Sequence, residues 1–218
     1  MTGKKKGSVL VLCAHSDDQV FGCGGTIAKY AKEGIEVNIA VFSYGEKSHP
    51  WMKKSIMVEA RANESLEAAK VVNANDTLFF GIEEGKFKED FERLDIKEKI
   101  EKLVEKYKPT KIFTHSSDDP MPDHNTLSKL IHGICGEIKY DGDLYAFDVW
   151  TPFKIKDRNL PKMYVDISDT FKTKIRALKC FKSHKATMVS LLWSVYFRAV
   201  KNGLRNKCRF AEVFYKLN

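Results

Sequence analysis

A chain of 218 residues has room for one well-buried α/β domain and is short for two. No run approaches the roughly 20 apolar residues of a membrane span, and five cysteines without a C-x-x-C spacing argue for reduced thiols over a disulfide framework. The net charge of +8 lies wholly in residues 110–218, with 15 basic against 3 acidic side chains between Lys154 and Arg209.

That bias suits phosphate, anionic lipid or a solvated basic surface. The interleaved aromatics of a single-strand binder are missing, so no nucleic-acid partner is expected. The N-terminus, M-T-G-K-K-K-G, leads into only a short apolar stretch with no small-residue cleavage site. It reads as no signal peptide, and a cytoplasmic location is expected.

In chain order, Val9 to Cys13 is a continuous apolar run, the pattern of a strand buried on both faces. His15, Asp17 and Asp18 follow at once, then a Gly-rich turn (Gly22, Gly24, Gly25) opening into a helix over Thr26 to Glu33. Residues 36–45 are a second strand. Residues 52–72 form a long helix in which Ile56, Ala60, Leu66 and Ala69 recur near helical spacing. Strands at 77–82 and 111–116 bracket a helix from Asp95 to Tyr107, and His115 sits at the end of the later strand. A helix over Asp123 to Ile138, strands at 144–150 and 163–168, and helices at 169–184 and 188–200 complete the pattern before A-E-V-F-Y-K-L.

Strand and helix alternate without repeats or a linker. This predicts one α/β domain over 1–218, with a Rossmann-like, mostly parallel sheet flanked by helices and a helical C-terminal region. The glycines do not make a dinucleotide fingerprint, because the G-x-G-x-x-G spacing fails.

In open α/β sheets ligands gather beyond the carboxyl ends of the strands, at the point where strand order reverses. One imidazole and two carboxylates lie there after the first strand. H-S-S-D-D-P-M-P-D-H-N (115–125) follows the fourth and offers His124 as a third ligand. His15, Asp18 and His124 make a His₂-carboxylate set with an open position, the pattern of catalytic zinc. Such a metal lowers the pKa of its water to about 7. Asp17 is then the candidate general base, and Asp123 a candidate for orienting a neighbouring imidazole. Singly, each has a plainer reading: a satisfied strand-end histidine, or an Asp pair capping the next helix.

A-H-S-D-D-Q (14–19), P-D-H (122–124), R-A-N-E-S-L-E-A-A (61–69), K-I-R-A-L-K-C-F-K-S-H (174–184) and A-E-V-F (211–214) together span most of the chain. In this order they resemble the LmbE-like or PIG-L family of metal-dependent N-acetylglucosaminyl de-N-acetylases. The resemblance implies zinc, with iron(II) as the alternative, on His15, Asp18 and His124, with Asp17 as base. It places Arg61 near the site, contacting substrate or holding a carboxylate. A pair with Glu64 one turn along the same helix is the competing reading of that arginine.

The implied reaction is water attack on an acetamide carbonyl of an N-acetylated sugar or glycoconjugate, giving amine and acetate. The basic C-terminal half suggests an anionic conjugate, and some family members are trimers or hexamers.

The chain departs from the family pattern at Ser16 (usually Pro), Gln19 (usually Glu) and above all Met121, where a second histidine is usual. Methionine offers no N–H and no proton, and one lost oxyanion donor costs about 10²–10³ in rate. His115 or His184 could substitute. Without a substitute the protein is slow, or a silent metal-containing binder of glycan or another partner. The apolar helix at 188–200 with its basic flank reads as core or subunit interface, or else as a lipid-docking surface.

Overall fold

Six consecutive buried residues make Ser8–Cys13 an interior strand, β1, of the sheet. A computed structural model describes residues 7–48, 52–150 and 159–218, with backbone alone at 48 and 184–190. After β1 come α1 (Asp18–Lys32), β2 (Glu36–Ser43), α2 (Lys54–Val72), β3 (Asp76–Ile82), α3 (Phe87–Arg93) and α4 (Ile96–Tyr107). Then follow β4 (Lys111–His115), α5 (Pro122–Glu137), β5 (Asp143–Phe147), β6 (Lys162–Asp166), α6 (Phe171–Leu178), α7 (Lys185–Arg205) and β7 (Ala211–Lys216).

Among the described residues these strands form one sheet in the order β3-β2-β1-β4-β5-β7-β6. The β1, β2, β3, β4 and β5 ladders are parallel, and β7 runs antiparallel to both its neighbours. The expected mostly parallel α/β sheet is therefore present. Its order reverses between β1 and β4, so the loops after these two strands face one another.

Alternate residues of each central strand serve opposite faces. Val9, Val11, Val37, Ile39 and Phe113 join the core under α1, α2, α6 and α7. Leu10, Leu12, Ala40, Phe42 and Ile112 join the core under α3, α4 and α5.

Three expectations need correction. In the second long helix Ala69 is buried but Ile56 and Leu66 are exposed; its inner face is Met57, Arg61, Ser65, Ala68, Ala69 and Val72. Two polar residues face inward because this side of α2 backs the site. The seven-residue α3 has no counterpart in the pattern. The expected helical C-terminal region is present as α6 and α7, with β7 after it.

The first helix starts at Asp18 rather than Thr26, and the Gly-rich stretch lies inside it. Cys23, at φ −141° and ψ 19°, breaks it into two segments. The Gly25 N–H, which in a regular helix would reach the Phe21 carbonyl, donates to Glu212 Oε1 at 3.0 Å. The Thr26 N–H and hydroxyl donate to Glu212 Oε2 at 2.7 and 2.6 Å. The Phe21 carbonyl accepts from Lys174 Nζ at 2.8 Å, and the same ammonium meets Glu212 Oε1 at 2.6 Å.

A carboxylate from β7 thus caps the restarted helix and a lysine from α6 satisfies the interrupted end. Burial lowers the Lys174 pKa, and the Glu212 charge opposes that shift. The break also explains two glycines. A Cβ on Gly22 would lie 2.2 Å from the Phe147 ring and one on Gly25 2.6 Å from Ile167, so α1 sits too close to the sheet for a side chain at either point.

Removing one member of a buried pair strands the other charge and costs about 3–5 kcal/mol. Glu212→Ala is therefore expected to lower the urea midpoint by that equivalent. The double variant Lys174→Met/Glu212→Ala should lose less than the sum of the single losses, since neither charge is then stranded. Equal midpoints for Glu212→Ala and wild type would refute the capping role.

Candidate metal centre

β1 ends by delivering His15, and the first turn of α1 supplies Asp17 and Asp18. The turn closes on itself, the His15 N–H donating to Asp18 Oδ2 at 2.8 Å. Across the switch point, β4 ends at His115, and the 116–121 loop leads into α5 with Pro122 at its first position. Asp123 and His124 therefore occupy the first turn of α5, directly opposite His15.

His15 Nδ1 and His124 Nε2 are 3.2 Å apart, His124 Nε2 and Asp18 Oδ2 3.2 Å, and His15 Nδ1 and Asp18 Oδ2 3.4 Å. Zinc bonded to nitrogen and oxygen at about 2.0–2.1 Å has tetrahedral edges of about 3.3–3.4 Å. The triangle fits one face of that tetrahedron. All three residues are buried.

Each imidazole is gripped at its other nitrogen. His15 Nε2 faces Asp123 Oδ2 at 3.2 Å, and that oxygen also accepts the Gly85 N–H at 3.0 Å. His124 Nδ1 lies 3.1 Å from Asp119 Oδ1, at ion-pair distance though off the line of a strong hydrogen bond. A carboxylate behind each ligand histidine fixes its ring and raises its basicity.

Asp119 was not singled out in the sequence, because nothing in D-D-P distinguishes it from Asp118. Its carboxylate does more than face His124. Oδ1 accepts the Met121 N–H at 3.1 Å, and Oδ2 accepts the Val149 and Trp150 N–H groups, each at 3.3 Å.

The protonation pattern follows from these contacts. Burial alone lowers the His15 pKa, but the Asp123 hydrogen bond and the Asp18 charge outweigh it and take it up to about 10. Burial also works against His124, and Asp18 and Asp119 carry it up to about 9. Burial raises Asp18, yet the His124 and His115 rings hold it well below the usual carboxylate range. Three carboxylates facing two imidazoles thus hold protons where a divalent cation would balance the charge.

His115 differs. Burial, then the neighbouring His124 charge, pushes it down to about 4, and its Nε2 accepts the Ala14 N–H at 2.9 Å. It stands behind Asp18, 3.3 Å from Oδ2 and fully buried, not in the pocket. The grouping of His115, Asp119 and His124 also has donor atoms close enough for a metal, but it shares His124 and lies deeper.

The triad opens on a narrow pocket walled by Asp17, Arg61, Glu84, Met121, Trp150 and Leu191. Arg61, 1% exposed, reaches across from α2 to Asp17, Nη1 to Oδ2 3.5 Å. Glu64 turns elsewhere, accepting the Ser183 N–H and hydroxyl at 2.7 and 2.6 Å. Met121 precedes the first turn of α5 at the pocket wall without a side-chain capping bond, and the side chain of His184 lies outside the described residues.

The other two departures have local reasons. The Gln19 amide donates to the Ser16 carbonyl at 2.9 Å and to Ser65 Oγ at 3.0 Å, where a carboxylate would meet the carbonyl lone pairs. The Ser16 hydroxyl donates to the Tyr44 carbonyl at 3.1 Å.

Comparisons with known proteins agree with this architecture. A 4-oxalmesaconate hydratase of Pseudomonas putida is 26% identical over 220 residues, covering 92% of this chain and 81% of that protein. A probable N-acetyl-alpha-D-glucosaminyl L-malate deacetylase 2 of Bacillus cereus is 23% identical, covering 83% and 85%. The solved N,N'-diacetylchitobiose deacetylase of Pyrococcus horikoshii superposes with a TM-score of 0.78 at 20% identity, over 96% of this chain and 83% of that one. The family model described as PIG-L, GlcNAc-PI de-N-acetylase, matches residues 10–135, which hold most of β1, all of β4 and every residue of the triad. By that match the chain belongs to the PIG-L family.

Proposed function

We propose that the protein is a zinc-dependent hydrolase that removes the acetyl group from an N-acetylated amino sugar or its conjugate. The observation that carries this reading is the triangle of His15, Asp18 and His124 beside the pocket-lining Asp17. A divalent ion on those three ligands supplies Lewis acidity toward water and a carbonyl oxygen. Iron(II) is the alternative ion.

Asp17 takes the proton from the attacking water as that oxygen bonds to the acetamide carbon. Arg61 orients the Asp17 carboxylate and, as a residue lining the pocket, also stands where it can meet the substrate. Asp123 and Asp119 hold the ligand rings. When the C–N bond breaks, the leaving nitrogen needs a proton. Met121 has none to give, and His115 is turned away behind Asp18, so Asp17 passes on the proton it took. His184 is the alternative donor. The excess of basic residues between 154 and 209 suits an anionic portion of the substrate, which would keep clear of Glu84 on the pocket wall.

A second reading, hydration of an activated C=C bond in an unsaturated carboxylate, is favoured by the hydratase relative and by Met121. Adding water across a double bond leaves no amine to protonate: one carbon gains the hydroxyl, and the proton Asp17 takes from the water goes to the other carbon. A panel of N-acetylated sugars assayed for acetate, beside a conjugated unsaturated carboxylate followed by loss of absorbance, separates the two.

Asp17→Asn is expected to cut acetate release by about 10²–10⁴ with bound zinc unchanged; undiminished release would end the mechanism. Met121→His should raise turnover by up to about 10²–10³ if the missing donor limits the reaction. His184→Ala should leave turnover unaltered if Asp17 carries the proton both ways, and a large loss would transfer that role to His184.

Metal loading has its own signature. At pH 7, below both raised values, His15 and His124 hold protons that a ligand must give up, so zinc should release about two protons per ion. Release should fade above pH 10, where both rings are already neutral. In the metal-free chain the raised imidazoles stabilise the fold fully below about pH 6.5, and that contribution is lost as pH rises through about 9 to 10. Calorimetric titration in buffers of different ionisation enthalpy reads the proton count.

A further inference from the structure

Among the described residues nine large apolar side chains are exposed, and five of them lie on α7: Trp193, Tyr196, Phe197, Val200 and Leu204, the last 77% exposed. With 3.6 residues per turn they fall within an arc of about 100°. The opposite side of the helix sends Leu191, Val195 and Ala199 into the core, and Leu191 also walls the metal pocket. A contiguous apolar patch of this kind marks an interaction surface.

The charge around it identifies the partner. From Lys185 to Arg209 the chain has no Asp or Glu and six basic residues, of which Arg198 turns inward to donate to the Asp148 carbonyl. Lys201 and Arg205 follow one edge of the stripe, and Lys201 Nζ stands 5.6 Å from the centre of the Phe197 ring. On the adjoining α6, Lys172 and Arg176 are exposed as well. Pairing this face with a second copy would bring two such helices together without a carboxylate on either.

We propose that α7 lies in the plane of an anionic lipid bilayer, with the Trp193–Leu204 stripe in the headgroup boundary and the basic residues against lipid phosphate and carboxylate. Aromatic rings with a polar tip favour that depth, and long basic side chains reach from it back to the charged surface. No helix among the described residues is long and apolar enough to cross a membrane, so α7 rests on the bilayer. The pocket that Leu191 helps to wall is thereby held near the membrane surface.

The test is cosedimentation of the full chain with vesicles of 7:3 phosphatidylcholine to phosphatidylserine and with pure phosphatidylcholine, at low and high salt. Binding is expected on the anionic vesicles only. It should weaken roughly tenfold or more in Lys201→Glu/Arg205→Glu and fall sharply in concentrated salt. Trp193→Ser/Leu204→Ser should also lose binding, and Leu204→Ser alone, at the most exposed position, should weaken it with an unchanged unfolding midpoint. No cosedimentation with anionic vesicles, or equal binding by wild type and the charge-reversed variant, would overturn the proposal. So would sedimentation velocity showing an oligomer that Leu204→Ser dissociates, since a second copy would then cover the stripe.

Discussion

The last strand and the first helix are tied by one carboxylate. Glu212 accepts two amides and a hydroxyl from the restarted half of α1 and holds the ammonium that satisfies the broken half. Without it, α1 would expose unsatisfied backbone groups inside the core, a cost that hydrophobic burial alone does not offset. The break lets the short first segment present Asp17 and Asp18 to the switch point while the second segment packs flat on the sheet. The antiparallel β7, set between β5 and β6, brings Glu212 to that place.

The same economy of charge runs through the centre. Each ligand nitrogen belongs to a ring whose other nitrogen faces a carboxylate, and Asp18 faces three imidazoles. These side chains are buried, so their interactions act through a low dielectric. His115 departs from the pattern: its Nε2 accepts the Ala14 amide, and burial keeps the ring neutral, so it lies behind Asp18 without adding a charge.

How much of this could be read from the chain depends on how local each signal is. The β1 run, the strand-end His15 and the helix-starting P-D-H are local, and they carry the sheet, the switch point and the triad. The inner face of α2 was misread because hydrophobic spacing cannot register a helix that buries Arg61 and Ser65. The early start of α1 was hidden because its continuation past Cys23 rests on Lys174 and Glu212, more than 150 residues away. Asp119 was invisible for a similar reason. Its importance comes from where the 116–121 loop folds, and the sequence offers Asp118 on equal terms.

Asp119 also joins two parts of the molecule that serve different ligands. One of its oxygens faces the ring of His124; the other holds the backbone at Val149 and Trp150, part of the pocket wall. An ion held by the triad and an occupant of that wall would therefore share a mechanical support. Thermodynamic reciprocity then applies: any factor by which an occupant of the wall alters the hold on the ion is the factor by which the ion alters the hold on the occupant.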